Sequence, residues 1–191
     1  MKLLDLIQKS RSYRRFDASI PITQEQILQW INLARLSPSA KNIQSLRYII
    51  VSTPSVNAQV FSLLTWAGYL KDWNGPIEAE RPTAYIVMLN DEVLNKNYYC
   101  DDGIASQSIL LGAVESGFGG CIVAAIQKEK LRSLLQIPSQ YKIIHIIALG
   151  KPVENVIIDE VSNNNIKYWR DKEQNHHVPK RNIDDIVIKK I

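Results

Sequence analysis

The chain has 191 residues, 46% of them hydrophobic and 22% charged, enough to pack one domain and too apolar for a disordered or fibrous class. Its net charge of +4 is modest, but the cations cluster at Lys9, Arg11, Arg14 and Arg15 and again at Lys180, Arg181, Lys189 and Lys190. Cys100 and Cys121 are too few for a disulfide framework, and no metal-ligand spacing occurs, so no metal centre is expected.

In chain order, Leu3, Leu4, Leu6 and Ile7 predict a helix ending near Ser10, and Asp5 within so short an apolar run argues against a signal peptide. Thr23 with Gln26 is a capping-box signature, and the helix it opens should stop before Ser37-Pro38, since the residue before proline avoids the helical region. RYIIVS from Arg47 reads as a strand, the stretch from Ser55 to Leu64 as a helix, and AYIVML from Ala84 as a strand buried on both faces. The segment from Asp102 to Ser116 is apolar nearly all round, which predicts a largely buried helix. GGCIVA from Gly119, KEKLRSLL from Lys128 and IIHIIALG from Ile143 then read as strand, helix and strand. IIHIIALG, the longest strongly apolar stretch, is too short to cross a bilayer. The expected protein is soluble and cytoplasmic, with no membrane contact.

Strands alternating with helices imply an α+β or α/β domain around one central sheet. After Pro152 the pattern dissolves into a polar, mostly irregular tail carrying SNNN and HHVPKR, closed by the apolar run IVIKKI from Ile186. Such a run needs a sheet edge, and a partner subunit is a natural supplier, which points to an intertwined dimer.

Four segments are candidates for chemistry. RSYRRF (Arg11 to Phe16) reads as an anion site or as a solvated basic helix end that offsets the helix dipole. SPSAKNIQ (Ser37 to Gln44) could hydrogen-bond a heterocycle or be an ordinary helix-to-strand turn. GFGGCIV (Gly117 to Val123) enters a strand rather than a helix, so it is no dinucleotide fingerprint; its glycines suit close approach of a ligand or of a second backbone. In HHVPKR the histidines lack further metal ligands, while Lys180 and Arg181 read as anion ligands or as solvated charge. His145 within its strand reads as a satisfied core or interface residue, and Cys121 as inert packing.

Taken in order, RSYRRF, SPSAKNIQ, DDGIASQSILLGA, GFGGC, ALGKP and the basic pair near 180 resemble the FMN-dependent nitroreductase family from Met1 to about Ile188. The resemblance implies an α+β nitroreductase-like fold with a central, mostly antiparallel sheet flanked by helices and a C-terminal strand exchanged with the partner subunit. It also implies a single domain over 1–191, with a dimer-wrapping extension over about 153–191. Arg11, Ser12 and Arg14 are then expected at the FMN phosphate, ribityl chain or pyrimidine edge, with Arg14 stabilising the anionic reduced flavin. Pro38, Ser39, Ala40 and Asn42 would meet the flavin of the opposite subunit. Gly119 and Gly120 would lie by the isoalloxazine ring, and Lys180 and Arg181 would close on the phosphate.

The sequence departs from the family pattern twice. Ser10 stands where a second basic residue is common, and Gln44 is followed by Ser45-Leu46 rather than Pro-Trp. The implied activity is hydride transfer from NADH or NADPH to FMN and onward to a small-molecule electron acceptor such as a nitroaromatic or quinone, in a homodimer, with no side chain acting as a dedicated catalytic nucleophile or base. A flavin-binding carrier or sensor without turnover is the alternative. A nucleic-acid-binding module ranks far behind, because few aromatics accompany the basic clusters.

Overall fold

The computed structural model describes residues 2–191. In chain order it contains α1 (Leu3–Lys9), β1 (Phe16–Asp17), α2 (Gln24–Leu36), β2 (Leu46–Val51), α3 (Pro54–Phe61), β3 (Ala84–Asp91), α4 (Asp101–Glu115), β4 (Gly119–Val123), α5 (Lys128–Leu134) and β5 (Tyr141–Pro152). Beyond these lie β6 (Val156–Glu160), β7 (Trp169–Arg170), β8 (His176–Lys180) and α6 (Ile183–Ile186). The predicted capping box forms at α2: the Gln26 N–H donates to Thr23 Oγ1 at 3.2 Å, and the Thr23 N–H to Gln26 Oε1 at 2.9 Å.

The central sheet is antiparallel throughout and turns on β5. One edge of β5 carries β3 and then β2; the other carries β4 along residues 146–150 and β1 at 151–152. All eight residues of β3 are buried, as its unbroken apolar run predicts. One sheet face packs on α2 and α4 through Ile27, Trp30, Ile109 and Ala113, and the other on α3 and α5 through Val60 and Leu131. The architecture is α+β, with a mostly antiparallel sheet flanked by helices.

The turn from α4 into β4 explains the glycines of GFGGC. Gly117 takes φ +79° while its N–H donates to Val114 O and that of Phe118 to Ala113 O, a helix stop that needs left-handed backbone. A Cβ on Gly120 would stand 2.3 Å from Ala148 O of β5. Of the two readings of these glycines, close approach of a second backbone is the one the fold displays.

The tail is mostly irregular, as expected, but it also holds a sheet that the sequence did not suggest. Its strands form a second sheet in the order β6-β8-β7, with β6 and β8 parallel, and HHVPKR supplies β8 instead of a loop. The closing run IVIKKI is not a strand in this chain. Asn182 and Asp185 form a capping box that draws Ile183–Ile186 into a helical turn, and Ile188 and Ile191 are fully exposed.

Candidate functional site

The RSYRRF segment leaves α1 and runs beside β4, with Ser12 bridged to Gly120 and the Tyr13 N–H donating to Gly120 O at 3.1 Å. Glu154, just past β5, holds the segment from behind. Its side chain is wholly buried and accepts from the backbone N–H of Arg14 and of Arg15, and from Arg170 Nη2 at 3.1 Å. Arg15 is turned away and paired with Glu80 at 2.6 Å.

The second sheet folds against this anchored segment. Ser10, Arg11, Ser12 and Arg14 line one wall of a cavity of about 250 Å³; Tyr168, His176, Val178 and Lys180 line the other. The two basic clusters of the sequence thus meet, through Arg11, Arg14 and Lys180, around one concavity. Three cations and two serines form an oxyanion-binding donor set, in a space several times the ~30 Å³ that one water occupies. Arg11 caps α1, its Nη2 donating to Ile7 O at 2.6 Å, while its Nε is buried without a partner among the described residues. Arg14 lies over the Tyr168 ring at 4.9 Å and directs Nη1 to Ser12 O and to His176 Nε2 at 3.2 Å.

That last contact fixes the state of His176. A guanidinium only donates, so Nε2 accepts and the ring proton sits on Nδ1, which is buried without a partner among the described residues. Burial first, and then the charges of Arg14, Arg170 and His177, push the His176 pKa down to about 4.

The other expected residues lie elsewhere in the chain. Arg181 misses the cavity: it is exposed, and its Nη1 donates to Asn164 Oδ1 at 3.2 Å. Pro38 and Ser39 line a different pocket beside Gln44, Tyr48 and Asp101, with no lining residue in common with the cationic cavity. Asp101, almost fully buried, pins that loop by accepting from Ser39 Oγ at 2.7 Å and from the Ala40 N–H at 2.9 Å. Lys41, Asn42 and Gln44 all take positive φ, which holds the exposed Asn42 on a strained turn. Gly119 and Gly120 are buried against Tyr13, Pro152 and β5. Ser10 lines the cavity in place of a second cation, and the buried Ser45 ties β2 to β3, its carbonyl accepting from the Asp91 N–H.

Glu154, Tyr168 and His176 were missed as site residues. Glu154 and Tyr168 carry no motif, and His176 was weighed only as a metal ligand. Cys121 is buried, its thiol pushed up to about 12, so it is packing, as expected. His145 meets Ser106 Oγ at 2.9 Å and Asp102 at 3.9 Å, but Ser106 is wholly buried and out of substrate's reach. Among the described residues no group of side chains could hold a metal ion, and no helix is long and apolar enough to cross a membrane.

Comparison with known proteins adds four likenesses to this geometry. The sequence profile described as "Nitroreductase family" matches residues 7–151. A Bacillus subtilis (strain 168) protein provisionally named NAD(P)H nitroreductase YodC is 20% identical over 181 residues, spanning 79% of this chain and 90% of its own. Among solved structures, the FMN-dependent nitroreductase of Clostridium difficile R20291 superposes with TM-score 0.65 at 22% identity, covering 80% of this chain and 89% of its own. A provisionally assigned nitroreductase of Exiguobacterium sibiricum 255-15, solved in complex with FMN, gives TM-score 0.70 at 18% identity over 89% and 98% of the two chains.

Proposed function

The chain belongs to the nitroreductase family, and from that premise we propose that it is an FMN-dependent oxidoreductase that draws on NADH or NADPH and reduces a small-molecule acceptor, a nitroaromatic or a quinone, as a homodimer. The observation that carries this reading is the convergence of Arg11, Arg14 and Lys180, with Ser10 and Ser12, on one cavity. A phosphate monoester fits it: three cations and two serine hydroxyls supply donors and charge, and a dianion would balance the cations that add to burial in keeping His176 neutral.

A bound flavin would supply the redox chemistry, hydride and electron transfer between nicotinamide and acceptor. The residues of this chain bind and orient it. Arg11, Ser12 and Lys180 hold the phosphate, while Arg14, its backbone anchored by Glu154, presents a cation from a fixed position. The loop of Pro38, Ser39, Ala40 and Asn42 shares no cavity with these residues, so it serves the flavin of a second copy. The closing run from Ile186 docks on that copy as well.

The test is the visible spectrum of the purified protein, followed by NADH and NADPH addition without oxygen. Flavin bands that bleach are expected, and Arg11→Ala combined with Lys180→Ala should strip most of the flavin. A protein that stays colourless and takes up no added FMN would overturn the reading. Flavin that neither nucleotide bleaches would sink the proposed turnover.

A further inference from the structure

The loop from Pro38 to Gln44 keeps a costly conformation with little packing to enforce it. Lys41, Asn42 and Gln44 take φ of 51°, 55° and 55°, a region that residues with a side chain enter only where their surroundings hold them. No residue from Pro38 to Gln44 is buried. Among the described residues, two side chains reach the loop with hydrogen bonds from outside. Arg47 Nη1 donates to Gln44 O at 2.9 Å, where the chain leaves for β2. Asp101, the first residue of α4 and only 5% exposed, takes the other end, accepting from Ser39 Oγ at 2.7 Å and from the Ala40 N–H at 2.9 Å. The helix does not depend on this contact, since Ala105, Ile109 and Ala113 already fix α4 in the core.

The bonds run on from Asp101 with a fixed direction. Ser39 gives its one hydroxyl proton to the carboxylate, and its oxygen then accepts the Gln44 N–H at 3.0 Å. Gln44 Nε2 in turn reaches back to Asn42 O at 3.3 Å. The carboxylate thus stands at the head of a chain of bonds that ends on two of the three left-handed residues. An asparagine at position 101 breaks that direction. With its oxygen towards the Ala40 N–H, its amide would donate to Ser39 Oγ, and the hydroxyl proton would lose its acceptor.

We propose that Asp101 is a positioning residue that acts across the subunit boundary: from α4 it holds the loop in the one shape that lets Asn42 meet the flavin bound by a second copy. This role rests on the two-copy FMN site proposed above.

Complementation between variants of the full-length protein tests it, with FMN affinity read from the quenching of flavin fluorescence. Asp101→Asn alone should weaken FMN binding about tenfold. Unfolded mildly and refolded together with Arg14→Ala, it should restore parent affinity to about a quarter of the sites, since each heterodimer joins one intact cavity to one intact loop. Refolded with Asn42→Gly it should restore none, because every heterodimer site then carries one damaged loop. Ser39→Ala, which cuts the same chain of bonds one step on, should sort with Asp101→Asn and keeps the test open if that variant folds poorly. Full affinity in both Asp101→Asn and Ser39→Ala, or recovery with Asn42→Gly in place of Arg14→Ala, would overturn the proposal while leaving the two-copy site standing. Failure of Arg14→Ala and Asn42→Gly to complement each other would remove the two-copy site itself, and this role with it.

Discussion

Glu154 ties the N-terminal motif to β7 through one buried carboxylate. Its carboxylate accepts from the Arg14 and Arg15 main chain and from Arg170, the first two in the N-terminal motif and the third in β7. Glu154→Gln keeps the shape but leaves Arg170, whose side chain is 9% exposed, without its counter-charge. The expected cost is about 3 kcal/mol in urea unfolding, with weaker flavin retention because Arg14 loses its anchor. Unchanged stability would show that the anchor is dispensable.

The two histidines of β8 titrate in opposite senses. His176 is depressed from 6.5 to about 4, so the unfolded chain binds the extra proton first and stability falls as pH drops from 6.5 towards 4. His145, also depressed by burial, adds to the same acid limb. His177 is raised by its hydrogen bonds to Asp171 and Asp159 against the opposing effect of burial, so its contribution is complete below 6.5 and is lost as pH rises through its raised value. Unfolding midpoints measured between pH 7 and pH 4 should therefore decline on the acid side, and His176→Asn should flatten that decline. An equally steep acid limb in the variant would assign it to other groups.

At the scale of elements, the closing run after β8 is the least anchored part of the chain. Ile188 and Ile191 are fully exposed, and no strand forms there, although the run is apolar enough to seek an edge. Truncation before Ile186 should lower the thermal midpoint by several degrees if this run docks on a second copy. A truncated protein that is monomeric and as stable as the full chain would refute the docking. Four strands of the main sheet were legible because each carries a short, continuous apolar run: AYIVML became β3 (Ala84–Asp91), and IIHIIALG became β5 (Tyr141–Pro152); the two-residue β1 carries no such run. The tail sheet was not, because Pro179 makes HHVPKR look like a breaker. Alternate N–H groups face alternate sides, and the His176 N–H donates towards β6, to Asn155 O. Residue 179 therefore faces the side where pairing with β7 has already ended, and a proline there forfeits no bond. The site was half legible for a related reason. Arg11, Arg14 and Lys180 could be picked out as cations, but the pieces that organise them, Glu154 and His176, act through contacts across 140 and 162 positions of chain, which no local pattern records.

For the whole molecule, the proposed reading makes the site a property of two copies, since the Pro38–Asn42 loop lies outside the cationic cavity. Arg14→Ala and Asn42→Gly, the second chosen because position 42 has φ +55°, should each lose flavin alone. Mixed after mild unfolding and refolding, the two variants should recover about a quarter of the sites, because each heterodimer carries one site with neither substitution. No recovery on mixing would mean that each subunit builds its site alone. The cavity itself also has a place in time. Its walls come from residues 10–14 and 168–180, and Arg14 reaches His176 across 162 positions. A ribosome adding roughly 5–20 residues per second takes on the order of ten seconds to pass from one wall to the other. The central sheet can therefore be folding while the chain is still unable to hold an anion at this place, and loading of the proposed cofactor would belong to the last stage of biosynthesis.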